Sequence, residues 1–181
     1  ERTVDPTRQT PRVAAPLSAF PDFAPLGIGV AAVGLGVARR ALDELVALAG
    51  AKTPQFSSRT LAASGFAQTE LARAEAVLRS ARAFLHEAVE LAWGEAVEGR
   101  PVGVERRVEM RLAAMHAASE CARVADTAFT VAGGSAVYDT SVLGRCLRDA
   151  HVVTQHIMVA PKLAETLGKH YMGVELDASM I

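Results

Sequence analysis

The sequence predicts an all-α protein: an up-down four-helix bundle with a short extra helix at its C-terminal end. Three observations carry that expectation. Apolar residues fill 50% of the 181 positions but aromatics only 5%, so alanine, leucine and valine have to build the interior, as in close-packed helices. Leu71, Ala74, Leu78, Ala81, Leu85, Ala88 and Ala92 recur at three and four residues without a break, which is the seam of a left-handed bundle. No segment alternates apolar and polar residues strongly enough to add a sheet.

Residues 1–25 carry Pro6, Pro11, Pro16, Pro21 and Pro25 among polar residues, a spacing expected to exclude helix and to give an extended, partly disordered linker. The first helix is expected over residues 26–50. It is rich in glycine (Gly27, Gly29, Gly34, Gly36), and each glycine costs a helix roughly 1 kcal/mol against alanine, tolerable where another helix approaches closely. Arg39, Arg40, Asp43 and Glu44 interrupt this apolar stretch, so it reads as a buried helix and not a bilayer span. Arg39 and Arg40 read as a solvated face. Residues 51–58 form a loop, with Thr53 a candidate cap and Pro54 the first helical position after it.

The second helix follows the seam given above and ends at the turn 98–103, with Trp93 expected at a bundle edge. The third runs from about Val104 to Ala132, with Leu112, Met115, Ala118, Ala122, Ala125 and Phe129 on one stripe and His116 just off it as a structural histidine. Gly133 and Gly134 then form a turn whose backbone tolerates positive φ and lets another molecule approach without a Cβ in the way. A plain helix-ending turn is the other reading of the same pair. The fourth helix is expected over residues 141–159, with Arg145, Asp149, Val152 and His156 along one polar stripe. Pro161 should kink it, a last helix should reach Tyr171, and Gly173 should release a polar tail. The domain reading is therefore a linker (1–25), a bundle (26–173) and a tail (174–181).

The net charge is −1 with both signs interspersed, which excludes the basic footprint of a nucleic-acid binder. Cys121 and Cys146 stand far apart, as buried thiols do in a reducing compartment, so cytoplasm is the expected location. No glutamate has histidine three residues later, which removes the di-iron pattern of helical bundles. His151 and His156 are five apart and lie on different sides of a helix, so no metal site is expected. A serine hydrolase is equally unsupported, because no strand-turn-helix setting holds a nucleophile.

Gly133-Gly134, Tyr138, Arg145 and Arg148-Asp149-Ala150 together resemble the C-terminal helical domain of the acyl-CoA dehydrogenase superfamily, and within it the flavin-dependent monooxygenases. The resemblance covers the chain from about Leu26 onward. It implies that FAD or FMN, as reduced flavin, is the cofactor and that the chain is part of a longer enzyme and inactive alone. It also implies self-association to a dimer or tetramer, with a separate flavin reductase as a possible partner. Gly133 and Gly134 would approach the flavin of an adjacent subunit, and Arg59 would face a neighbouring flavin. In many dehydrogenases of the superfamily the proton-abstracting glutamate lies nine residues after the arginine of the Arg-Asp-Ala segment. Here that position is Ile157, which cannot act as a base, and His156 stands beside it.

The resemblance thus implies hydroxylation of an aromatic substrate with reduced flavin and dioxygen, His156 accepting a phenolic proton or holding the flavin-oxygen adduct. Asp149 is expected to fix the imidazole tautomer or orient the fourth helix through Arg145. A core histidine satisfied by Asp149 or a carbonyl is the bland reading of His156. Two rival functions stand beside hydroxylation: an acyl-CoA dehydrogenase with its base elsewhere, and a free-standing helical assembly module without flavin.

Overall fold

A computed structural model describes residue 13, residues 15–21, residues 23–177 and residue 181. The described residues contain five α-helices and no strand: α1 (Ala24–Ala51), α2 (Gly65–Val97), α3 (Val104–Ala132), α4 (Val142–Thr154) and α5 (Leu163–Tyr171). The first four alternate in direction. Gly27 lies against Arg111 and Gly34 against Cys121 and Val153, so α1 runs parallel to α3 and antiparallel to α4. α1 and α3 form the most extensive pair. α2 packs chiefly on α3 from one side, and α4 packs on both α1 and α3.

Small residues let the two central helices approach. α3 buries Ala113, Ala114, Ala117, Ala118, Cys121, Ala125 and Ala128, a face wider than the stripe read from the sequence, because other helices cover α3 on several sides. An added Cβ at Gly34 would lie 3.3 Å from the Val153 side chain, so this glycine is where α1, α3 and α4 meet. Gly29 and Gly36 have nothing within 4 Å of an added Cβ, so close approach explains only half of the glycines in α1 read from the sequence. This helix is long and apolar enough to cross a membrane by length and composition, yet Ala31, Gly34, Ala38, Ala41, Leu42 and Leu45 are buried in the bundle. Arg39 reaches across to Glu75 of α2 at 2.7 Å as well as to Asp43. Burial pulls its pKa down, but those two carboxylates outweigh it and leave the guanidinium raised, while Arg39 draws the Glu75 carboxyl below its usual range.

Several boundaries differ from the sequence reading. Residues 1–12, 14 and 22 of the proline-rich segment, expected to be extended and partly disordered, lie outside the described residues. Within the described part, Pro16–Ala19 form one 3-10 turn, because proline at the first position of a turn has no N–H to lose. Phe20 is buried there, its ring 6.1 Å from that of Trp93. Thr53 and Pro54 start no helix. Phe56 takes a positive φ of 65°, which breaks the path, and Ser64 caps α2 instead, its hydroxyl accepting the Ala67 N–H. α4 ends at Thr154 rather than Val159. Pro161 would leave the carbonyl four residues back unpaired and clash with it, so the chain turns through residues 155–159 before α5. The tail does not simply trail away. Residues 178–180 lie outside the described set, but Ile181 is buried with Val108 and Leu167, and the Arg107 guanidinium donates to its carbonyl at 2.6 Å and 3.0 Å.

Candidate functional site

The sequence-predicted residues fall at two ends of the bundle. At one end α3 stops because Gly133 adopts φ 60°, ψ −147°, a combination almost reserved for glycine. Residues 133–136 continue as a 3-10 turn, and Gly144 lets that turn sit on α4, since an added Cβ there would be 3.1 Å from the Ala136 carbonyl oxygen. Gly133 and Gly134 are both exposed. Nothing lies within 4 Å of an added Cβ on Gly134, whereas on Gly133 it would come 3.8 Å from the Lys52 ammonium.

Lys52 is the residue that sequence reasoning missed at this end. Its Nζ donates to the Ala132 carbonyl at 2.6 Å, capping the negative end of α3. It also ties the glycine turn to the loop that carries Arg59, because Leu61 N–H donates to the Lys52 carbonyl at 2.8 Å. Ser57 shapes that loop, its hydroxyl donating to the Arg59 carbonyl at 3.0 Å. Arg59 is exposed, as is the whole Phe56 ring. The only signal in the sequence was a lysine at the loop entry. What the structure brings together is thus a side-chain-free backbone turn and the Lys52 ammonium, with Arg59 exposed on the loop that leads away from Lys52.

His156 lies at the other end, past the last turn of α4. With 13 residues and a rise of about 1.5 Å per residue, α4 separates it from the glycine turn by roughly 20 Å. The two do not line one pocket. His156 is exposed, not sunk among the helices, and its Nδ1 accepts the Met158 N–H at 3.2 Å. Asp149 therefore does not fix the imidazole tautomer as expected; the backbone of the following turn does, because α4 ends before the histidine. An acceptor at Nδ1 places the ring proton of the neutral imidazole on Nε2. The other histidine of the segment, His151, pairs with Asp126 at 2.9 Å on the surface. His116 is half-buried against Phe84, ring centroids 6.0 Å apart.

Beneath His156 sits Arg111, 3% exposed. Its Nη1 donates to the Met158 carbonyl at 2.9 Å and lies 3.1 Å from the Met158 sulfur. Burial lowers its pKa from the ordinary arginine value, and the nearby Arg107 charge adds to that. Sequence reading passed over it, yet Arg111 precedes the buried Ala118, Ala125 and Ala132 at steps of seven, so an arginine on the seam was the available signal. Gly27 makes the room, for an added Cβ there would lie 3.1 Å from Nη1. The thiols are inert at rest. Burial, assisted by Glu120, pushes Cys121 up to about 12, and burial followed by Asp149 also raises Cys146.

Among the described residues no cluster of histidine, cysteine and carboxylates is arranged to hold a metal. An open, largely apolar cleft of about 400 Å³ lies between α1 and α2, bordered by Arg39, Arg79, Arg82 and His86, away from both ends described above.

Residues 28–161 match the family model described as acyl-CoA dehydrogenase, C-terminal domain. The chain is similar to the indole-3-acetate monooxygenase of Pseudomonas putida, 38% identical over 163 residues, which is 90% of this chain and 42% of the relative. It is also similar to the indole-3-acetate monooxygenase of Acinetobacter baumannii, 29% identical over 164 residues, 91% of this chain and 42% of the relative. The chain thus spans about two fifths of the length of these curated relatives. Its fold matches the crystal structure of 3-HSA hydroxylase from Rhodococcus sp. RHA1 with a TM-score of 0.85 at 24% identity, over 94% of this chain and 44% of that one. XiaF from Streptomyces sp., solved in complex with FADH2 and glycerol, matches with a TM-score of 0.80 at 20% identity, over 90% of this chain and 44% of that one.

Proposed function

This chain belongs to the acyl-CoA dehydrogenase C-terminal domain family, and on that premise we propose that it is the helical domain of a flavin-dependent monooxygenase. The whole enzyme hydroxylates an aromatic substrate with dioxygen and reduced flavin, the flavin supplied by a separate reductase, and works in the cytoplasm as a dimer or tetramer. The observation that carries the reading is the exposed imidazole of His156, its Nδ1 accepting the Met158 N–H, beside Ile157, where dehydrogenases that the chain resembles carry a carboxylate. Residues 154–161 contain no carboxylate at all, which disfavours α-proton abstraction from this turn. Relatives that act on indole-3-acetate make that acid the first substrate to try.

The residues present fit a flavin. Gly134 offers exposed backbone with open space above it and Gly133 lies beside the Lys52 ammonium, a cradle for phosphate. Bound reduced flavin would supply the reaction with dioxygen. His156 then has a defined role. Its Nε2–H donates a hydrogen bond to a reacting oxygen, whereas taking a phenolic proton at Nε2 would need the tautomer that the Met158 N–H on Nδ1 disfavours. FAD or FMN, as reduced flavin, is the cofactor class proposed.

The test uses the full-length protein. Reduced flavin with indole-3-acetate or a phenol should give oxygen consumption and a hydroxylated product. Bleaching of bound oxidised FAD by an acyl-CoA would identify a dehydrogenase instead, and absence of any flavin binding would identify an assembly module. His156→Ala should lower hydroxylation at least about tenfold, a floor beneath the roughly 100-fold or more usual for a positioned acid or base, with the oligomer intact. Unchanged turnover removes His156 from the mechanism.

A further inference from the structure

We propose that Arg111 is a positioning residue for His156, acting through Met158 to hold the imidazole in one tautomer and one orientation. The proposal rests on the reading of His156 as the reacting imidazole. An exposed residue such as His156 has little packing to fix its ring torsions, so its orientation leans on the hydrogen bond at Nδ1. That bond comes from Met158, whose N–H donates to Nδ1 at 3.2 Å and whose own carbonyl accepts from Arg111 Nη1 at 2.9 Å. One buried residue, Met158, therefore connects a guanidinium inside the bundle to an imidazole outside it.

Apart from the buried Met158 and Val159 side chains, few contacts hold the turn. α4 has ended, and its continuation relies on isolated contacts, His156 N–H to Val153 carbonyl at 3.2 Å and Val159 N–H to His156 carbonyl at 2.9 Å. Arg111 sits on the second turn of α3, inside the central pair of helices, which makes it a fixed point relative to the bundle. The charged donor strengthens its bond to the carbonyl, and the absence of a side chain on Gly27, 3.1 Å away at the would-be Cβ, admits the guanidinium. An arginine on a helix seam is costly to bury; here it fixes the register of a functional turn to the core.

The experiment uses the full-length protein labelled with 15N-histidine at a pH where imidazoles are neutral, about 8.5, with His156 assigned by its loss in His156→Ala. Wild type should show His156 unprotonated at Nδ1 and protonated at Nε2. Arg111→Met should show averaging of the two tautomers, and Arg111→Lys, which keeps one charged donor, should restore the single form. In turnover, Arg111→Met should lower kcat about fivefold with KM within about twofold, and should cost almost nothing further in a His156→Ala background. A wild-type tautomer in Arg111→Met, or a loss that multiplies with that of His156→Ala, overturns the proposal. If Arg111→Met does not fold, Gly27→Ala carries the same readouts, because its methyl crowds Nη1; partial averaging and a drop of about twofold in kcat are expected, and wild-type values for both overturn the proposal. Unchanged turnover in His156→Ala would sink the functional reading alone, since the ring spectrum still decides whether Arg111 sets the tautomer.

Discussion

The glycine end and the histidine end of α4 both present exposed groups to solvent but hold them by opposite means. At the glycine end the presenting surface is backbone, fixed by an unusual dihedral pair at Gly133 and by a half-buried lysine on the last carbonyl of α3. At the histidine end it is a side chain, anchored through Met158 to an arginine inside the bundle. On the proposed reading, stability and binding coincide at Gly133, whereas at His156 they are divided between an exposed ring and the buried arginine that anchors it. Contacts with a ligand are best altered without unfolding where that division exists.

The largest effect that would break this comparison is at Gly133. Alanine there would have to adopt φ 60°, ψ −147°, and residues forced into such regions cost about 1–3 kcal/mol. Gly133→Ala should lower the urea midpoint of the helical domain in the full-length protein and weaken flavin binding with it. A variant of wild-type stability would show that the turn can relax, and that its shape is not set by the glycine.

Between the two ends, at the crossing of α1, α3 and α4, lies Cys121, and it supplies a control free of either site. Its thiol is pushed up to about 12 by burial, with Glu120 second. Below the ordinary thiol range both folded and unfolded chains keep the proton and stability is undiminished. Above pH of about 9 the unfolded thiol ionises while the folded one does not, so stability falls by up to about 1.4 kcal/mol per pH unit until the folded value is reached. Cys121→Ala should flatten that alkaline limb in urea melts taken across pH of about 8 to 11, an expected range set by the same shift. An unchanged limb would mean that the thiol is not desolvated.

Lys52→Met comes next. Loss of the cation from the C-terminal carbonyl of α3 should cost about 1 kcal/mol and should also weaken flavin binding in a salt-dependent manner. Salt-independent weakening would argue that Lys52 acts only as a cap and meets no phosphate.

The course of the fold was legible wherever side chains repeat with the helical period. Leu78, Ala81, Leu85, Ala88 and Ala92 are all buried on α2, and the break at Gly133 falls where paired glycines placed it. What was not legible depended on partners distant in sequence. The inner face of α3 is built from alanines that mark no direction by themselves, so its breadth emerges only once α1, α2 and α4 surround it. α4 was read too long because the stripe through His156 kept helical spacing, while the effect of Pro161 reaches back to the unpaired carbonyl four residues earlier. Lys52 and Arg111 escaped for a common reason: each acts on a backbone carbonyl, 80 and 47 positions away respectively, and backbone acceptors leave no trace in a pattern of side chains.

The smallest effect on folding, and the sharpest on the comparison, is expected at Gly134. Its φ is not positive and an added Cβ meets nothing within 4 Å, so alanine fits the existing backbone. Surface substitutions of that kind change stability by no more than about 0.5 kcal/mol, and removing glycine from the unfolded chain favours folding slightly. If the turn is a surface on which a flavin phosphate lies against bare backbone, the same methyl must stand between them. Gly134→Ala should then leave the urea midpoint where it is and still reduce flavin affinity in equilibrium titration of the full-length protein, by about tenfold for one displaced charged hydrogen bond. Gly133→Ala loses both quantities together, so the pair separates shape from contact. Wild-type affinity in Gly134→Ala would mean that nothing approaches the turn, and that Gly133 serves only to end α3.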